Sequence, residues 1–272
     1  MTADHQMNIE MLSAGYGDRL ILDGLDLVLP PGRITAIVGA NACGKSTLLR
    51  TMSRLLSPVT GQVLLDGRSV HRMPTRELAR ILGLLPQSPI APEGITVADL
   101  VSRGRHPHHG IVSRWSQRDD EAVAAALEVT KTVDLADRAV DELSGGQRQR
   151  VWIAMALAQQ TDLLFLDEPT TFLDVAHQIE LLDLLCELNF RHGITIVMVL
   201  HDLNLAARYA DHLIAMAKGT VHAQGTSAEV LTEQNILQVF GLVSRVIPDP
   251  VSGRPMMLPI GRHRISGREA AQ

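Results

Sequence analysis

The sequence predicts an α/β fold, a parallel sheet covered on both faces and preceded by a small β-rich region. Three observations predict it. In the second half, continuous apolar runs at residues 163–166 and 194–200 alternate with helical patterns at 151–159 and 175–188. Buried strands spaced by helices pair in parallel and carry helices on both faces. At residues 34–38 another apolar run enters a glycine-bearing turn and then a helical stretch over 48–55. Around it, short apolar segments at 21–30 and 62–65 are punctuated by turn residues such as Asp66-Gly67, the pattern of strands joined by tight turns.

The remaining elements follow in order. Residues 86–94 form a break containing Pro86, Pro89, Pro92 and Gly94. From 97 to about 130 the pattern is helical, clearest where Ala122, Val123, Ala126 and Val129 recur at helical spacing. The helix over 175–188 carries Ile179, Leu182, Leu185 and Leu188 on one face, and residues 265–272 read as a solvated tail.

Bulk properties narrow the function. With 272 residues, 46% hydrophobic and 20% charged, the chain can bury a substantial core. A net charge of -5 and only 3% aromatic residues argue against a nucleic-acid partner, which would favour a basic face or base-stacking platforms. Two distant cysteines, Cys43 and Cys186, do not make a disulfide framework and fit a reducing compartment. The first eleven residues lack the order of a signal peptide, and no apolar run approaches the roughly 20 residues a membrane span needs. A membrane role would therefore run through a membrane partner.

The chemistry begins at Gly39-Ala40-Asn41-Ala42-Cys43-Gly44-Lys45-Ser46-Thr47, which matches G-x-x-x-x-G-K-[ST] between a buried strand and a helix. Backbone N–H groups converging on phosphate oxygens need glycine where the chain turns sharply or the ligand comes close. The helix N-terminus favours anions, Lys45 brings a point charge to the β- and γ-phosphates, and the Ser46 hydroxyl can ligate Mg²⁺. Cys43 reads as a small residue tolerated in the loop rather than as a reactive thiol.

The run 163–166 ends in Asp167-Glu168-Pro169. At the carboxyl edge of a parallel sheet, where ligands collect, Asp167 is suited to Mg²⁺ and Glu168 to orienting and deprotonating a water. Paired acids at a strand end can also simply cap the next helix. His201 follows the run 194–200 at a neighbouring position on the same edge and could hydrogen-bond a γ-phosphate.

Leu143-Ser144-Gly145-Gly146-Gln147 precedes the helix over 148–159. Here the sequence resembles the ATP-binding cassette family, whose signature is LSGGQ, and the motifs stand in family order from the phosphate loop through Gln87, LSGGQ, Asp167-Glu168 and Leu173-Asp174 to His201. The resemblance implies an ABC-type P-loop ATPase core with an N-terminal antiparallel β subdomain over residues 1–87 and 143–264. It also implies a helical insertion over 88–142 and a flexible tail over 265–272. It implies ATP and Mg²⁺ as cofactors, the metal held by Ser46, Gln87 and Asp167. Glu168, His201 and Lys45 become catalytic, Tyr16 stacks on adenine unless it is a lone turn aromatic, and Asp174, in a D-loop with Leu173, joins the nucleotide-binding residues. Ser144, Gly145, Gly146 and Gln147 complete the nucleotide site of a second copy in a head-to-tail dimer. Ser144 and Gln147 equally fit an S-x-x-Q capping box, which points to a hydroxyl that caps in the open state and meets phosphate in the closed one.

The stretch Glu168-Pro169-Thr170-Thr171-Phe172-Leu173-Asp174, with Ala176-His177-Gln178, looks like the ferric-siderophore importer branch. Arg103-Gly104-Arg105-His106-Pro107-His108, the segment after His201 and residues 247–261 are similar to it as well. The implied function is uptake of an iron(III)-siderophore chelate through an integral membrane permease, from the cytoplasmic face of the membrane, with a substrate-binding protein as an indirect partner. Import of haem or cobalamin, or an ABC ATPase outside transport, is the alternative. The phosphate loop departs from the branch at Ala40 and Ala42, where proline and glycine are common, so any positive φ there would be strained. His106, His108 and His109 cluster on a loop with no carboxylate or thiol beside them in sequence. They read as part of a loop near the permease contact, and Arg262-His263-Arg264 as a solvated basic face.

Overall fold

The computed structural model describes residues 5–110, 114–171 and 173–261. Phe172, the Arg262-His263-Arg264 run and the tail from 265 lie outside the described residues. Strands β1 (Met7–Tyr16) and β2 (Arg19–Leu29) form a hairpin, and β3 (Ile34–Gly39) leads through the phosphate loop into helix α1 (Lys45–Met52). Then come β4 (Thr60–Leu65), β5 (Arg68–Ser69), α2 (Thr75–Ile81) and β6 (Leu82–Leu85). Helices α3 (Val97–Ser102) and α4 (Gln117–Val129) follow, separated by a 3-10 turn, Arg103–His108. The chain returns through α5 (Gly145–Ala158), β7 (Leu163–Asp167), α6 (Val175–His192), β8 (Thr195–Val199), α7 (Leu203–Tyr209), β9 (His212–Ala217) and β10 (Thr220–Gly225). It closes with α8 (Ser227–Val230), α9 (Glu233–Phe240) and the hairpin β11 (Ser244–Pro248) and β12 (Pro255–Pro259).

The six-stranded sheet has the order β10-β9-β3-β8-β7-β6, parallel from β9 to β6 with only β10 antiparallel. Its strands separate two cores by simple alternation. Ile34, Ala36, Val38, Leu164, Leu166, Ile196 and Met198 face the core built with α5, α6 and α7. Ile37, Leu163, Phe165, Val197 and Val199 face the core shared with α1 and the antiparallel sheet β2-β1-β4-β5. Every residue of β7 and β8 is buried, so apolar pressure from both sides produces the unbroken apolar runs.

In two helices a residue two positions away is buried in place of one that the periodicity names. On α6, Leu181 is buried with Leu182, Leu185 and Leu188, while Ile179 is half-buried; on α4, Leu127 is buried and Val129 is 40% exposed. Both shifts arise because a helix buries a stripe wider than one i, i+4 row. The turn Arg103–His108 is fixed by Arg105, itself 5% exposed, which donates to Asp119 at 2.9 Å and to the carbonyl of Ala158 at 2.7 Å. The Ser116 hydroxyl, followed by the Arg105 guanidinium and the Ser116 N–H, holds the Asp119 carboxyl well below the usual range. The terminal hairpin is fastened to α7 by Asn204, whose amide donates to the Met257 carbonyl and accepts from its N–H.

Candidate active site

Parallel strands bring their carboxyl ends to one edge, and register fixes what meets there. Ile37 pairs with Val199 and Val199 with Asp167, so the phosphate loop, His201 and Glu168 emerge side by side, with the chain after β6 on the flank. A cleft of about 470 Å³ opens at this edge, lined by Tyr16, Asn41, Ala42, Gly44, Lys45, Ser46, Thr47, Gln87, Glu168 and His201. An apolar cavity of about 290 Å³ lies at the opposite edge, between α4, α5 and α6, and holds none of these groups.

The loop's two glycines answer different demands. At Gly39 a Cβ would run into the Met216 carbonyl and come within 2.7 Å of the Cys43 sulfur, so close approach excludes a side chain. Gly44 takes φ 109 at the N-cap of α1 and brings no side-chain cap, which leaves the first N–H groups of the helix for an anion. Lys45 is buried, and its ammonium donates to the carbonyls of Gly39 at 2.9 Å and Ala40 at 3.0 Å, poised over the loop. Cys43 is buried with its thiol pushed up by desolvation, the opposite of a reactive thiolate. Ala42 sits at φ 60, the strained conformation that its departure from glycine foretold.

Behind the loop, the Ser46 hydroxyl donates to Asp167 at 3.0 Å. Asp167 is 3% exposed, and burial pushes its carboxyl up, with the neighbouring Glu168 charge adding to the effect. A buried carboxylate beside a hydroxyl is an all-oxygen donor set that suits a small hard cation, so these two residues fit Mg²⁺. Glu168 lies at the centre of a second cluster. Its carboxylate accepts from the Gln87 amide at 2.6 Å and from the Thr171 hydroxyl at 3.3 Å, and lies 2.7 Å from His201 Nε2. Its backbone takes φ 54, strain of the kind proteins retain at functional positions.

Against known proteins, the chain matches the ABC transporter family over residues 22–171. It is 54% identical to a probable siderophore transport system ATP-binding protein of Bacillus subtilis, over 97% of this chain and 96% of that one. It is 51% identical to the ferric enterobactin transport ATP-binding protein of Escherichia coli, over 93% of each. This chain belongs to the ABC transporter family. It is an ATPase subunit of that family and falls in its siderophore-importer branch. Its fold superposes with a TM-score of 0.72 on a dimeric bacterial ABC transporter cassette, MJ0796, at 26% identity, over 81% of this chain and 98% of that one.

Within one cassette the signature does not reach the cleft. Ser144 caps α5, accepting from Gln147 N–H at 3.3 Å, while the Gln147 side chain accepts from Ser144 N–H at 3.1 Å. Gly145 and Gly146 form the first turn of that helix, and Asp174 caps α6 by accepting from His177 N–H. The three histidines of the turn after α3 go separate ways: His108 contacts the Gln159 carbonyl, His109 stacks on Trp115, and His106 is exposed. Among the described residues, no group of three histidines, cysteines or acids could hold a metal. Sequence reasoning missed Arg19 and Ile21, which line the cleft, and Arg50, which donates to Tyr16 Oη at 3.3 Å. Arg19 was legible in principle, since a tight turn at Gly17-Asp18 places it directly opposite Tyr16.

Proposed function

We propose that this chain hydrolyses ATP to power uptake of an iron(III)-siderophore chelate, working as a head-to-tail pair under a membrane permease on the cytoplasmic face. The observation that carries the chemistry is the cluster on Glu168, one carboxylate held between an amide that can sense nucleotide and an imidazole just past the end of the neighbouring strand β8. The cargo class rests on relatives at about half identity whose names carry siderophore and ferric enterobactin transport.

In this reading Tyr16 stacks on the adenine, with Arg50 steadying its hydroxyl. Lys45 exchanges its two carbonyl partners for the β- and γ-phosphates, and the free N–H groups of α1 take the remaining charge. Mg²⁺, when bound, neutralises phosphate charge; Ser46 and Asp167 would hold it, with Gln87 at its edge. Glu168 orients a water and takes its proton as the water oxygen bonds to the γ-phosphorus. The bond from that phosphorus to the β–γ bridging oxygen breaks, and its electron pair leaves with ADP. His201 stabilises the γ-phosphate oxygens. The partner copy supplies Ser144, Gly145, Gly146 and Gln147, its helix N-terminus turned to the γ-phosphate, and Asp174 contacts the first copy's phosphate loop. The dimeric state of the cassette MJ0796 supports a working unit of two copies.

The permease contact is proposed at a groove of about 360 Å³ beside Gln87, lined by Pro89, Ile90, Pro92, Val140, Arg148 and Trp152, in place of the histidine loop at 106–109, which packs at the other end of α5 against Gln159. Ile90 is 91% exposed there, and no helix among the described residues is long and apolar enough to cross a membrane. Glu168→Gln is the test: nucleotide binding persists, the pair accumulates in its loaded form, and phosphate release falls at least about a hundredfold, the lower range for loss of a general base. Wild-type turnover in that variant removes Glu168 from its role. Radio-iron uptake by cells with and without the gene, across a panel of ferric chelates, tests the cargo.

A further inference from the structure

We propose that His177 is a positioning residue that locks the signature turn to the loop carrying Glu168 and Asp174, so that each protomer presents both to its partner as one rigid unit. This rests on the dimeric ATPase reading above and deepens it, naming what couples the two nucleotide sites.

His177 is bound to Asp174 twice. Its backbone N–H donates to Asp174 Oδ1 at 2.9 Å, and its ring Nδ1 lies 2.7 Å from the same oxygen. An ordinary cap needs only the first of these contacts. The second fixes the ring, and the ring is spent on the signature. A Cβ on Gly146 would sit 3.2 Å from His177 Cδ2, 3.3 Å from Cγ and 3.5 Å from Nε2.

Gly146 has no conformational need to be glycine, since it lies inside α5 and is absent from the residues with positive φ. Glycine weakens a helix interior, so its presence calls for a spatial reason, and the imidazole against its Cα supplies one. A second strap runs in parallel: Gln149, one residue short of the next turn of α5, donates to the Pro169 carbonyl at 2.9 Å. Pro169 directly follows Glu168, and Gln178 donates to the Leu173 carbonyl at 2.9 Å, closing the loop against α6.

The consequence is mechanical. Gln87, Thr171 and His201 hold Glu168 within one protomer's own cleft, while Ser144 and Gly146 serve the cleft of the other. His177 joins these two sets through Asp174. When nucleotide or its loss shifts the loop after Glu168, the signature shifts with it, and the partner's site registers the change.

The experiment compares wild type, His177→Ala and His177→Gln for nucleotide affinity in dilute protomers, for kcat and for the Hill coefficient for ATP. Affinity is set by the cleft alone, which contains no residue of α5 or α6, so His177→Ala leaves it within about twofold while kcat falls about tenfold. The Hill coefficient drops toward one, and His177→Gln, whose amide can donate to Asp174 in place of the ring, recovers most of kcat. A merely structural role moves neither the Hill coefficient nor the split between affinity and kcat. Gly146→Ala provides a second route: its methyl would sit 3.2 Å from the ring and press it by a few tenths of an ångström, so the effects of Gly146→Ala and His177→Ala combine to less than their product. Wild-type kcat and Hill coefficient in His177→Ala overturn the proposal, as do independent, multiplying effects of the two substitutions. Glu168→Gln in parallel separates the failures. If it turns over normally, the hydrolysis reading falls; if it is dead while His177→Ala is normal, only the positioning role falls.

Discussion

Ala42 and Glu168 both hold positive φ, at 60 and 54, and they divide strain that can be relieved from strain that cannot. At Ala42 the left-handed conformation costs about 1–2 kcal/mol, and glycine would remove that cost while giving back roughly 0.4–1 kcal/mol through a more flexible unfolded chain. The difference favours glycine, so Ala42→Gly raises the melting temperature by a degree or a few, as a thermal scan can read, with nucleotide affinity unchanged. Glu168 cannot be treated this way because its side chain is the one proposed to act on water. Asp167 carries a different liability. Its carboxyl is pushed above its ordinary value of 3.8 by burial, so the folded state holds a proton that the unfolded state has released. The stabilisation from that proton is present below 3.8 and is lost as pH rises through the raised value. Asp167→Asn removes the buried charge: without nucleotide or metal, its melting temperature relative to wild type climbs from acid to neutral pH, while turnover disappears. A gap that stays flat with pH would mean that Asp167 is not a strained carboxylate.

Helix α5 shows how one element serves two structures. Its cap is complete within the protomer, with Ser144 and Gln147 each satisfying the other's N–H, so the signature is already ordered before any partner arrives. Ser144→Ala therefore lowers stability by about 1 kcal/mol, the ordinary worth of a cap, and leaves nucleotide binding to single protomers unchanged, since the cleft holds no residue of α5. Calorimetry on dilute protein reads both quantities, and weakened binding there would place Ser144 in its own protomer's site. The cap was legible in the sequence because capping is local chemistry at fixed spacing. So were β3, β7 and β8, whose burial on both faces leaves unbroken apolar runs. Strand β6 was not, for it has four residues, includes Gly83 and is held by its pairing with β7. Nor was β1, where register shifts after Ile9, Leu12 and Ala14 break the alternation that sequence patterns rely on. β10 hides for another reason: it is a sheet edge whose exposed and half-buried residues alternate without an apolar face. At the site, motif spacing exposed the phosphate loop, Asp167-Glu168 and His201, and the turn at Gly17-Asp18 could have exposed Arg19, whereas the contacts of Thr171 with Glu168 and of His177 with Gly146 are ones that only the fold creates.

At the scale of the whole molecule, the proposed head-to-tail pair would complete a cleft that a single cassette lines without α5. Tyr16, Lys45, Ser46, Gln87, Glu168 and His201 converge, yet the ordered N-terminus of α5 belongs to no site in its own chain. If each site draws Lys45 from one protomer and Ser144 from the other, two different inactive variants must restore each other when mixed. Lys45→Ala destroys the site on its own chain and keeps a good signature; Ser144→Arg keeps its own phosphate loop and spoils the partner's site. In a random mixture about half the dimers are mixed, and each of these has one intact site of two, so activity returns to about a quarter of wild type when sites act independently. If turnover requires both sites together, the mixture stays inactive while Ser144→Arg still binds nucleotide through its own phosphate loop. A third outcome decides against the pairing itself: if Ser144→Arg alone turns over at the wild-type rate, and does so without change on dilution, the signature has no partner to serve. Phosphate release measured on the two pure variants and on the mixture, at several total concentrations, separates the three.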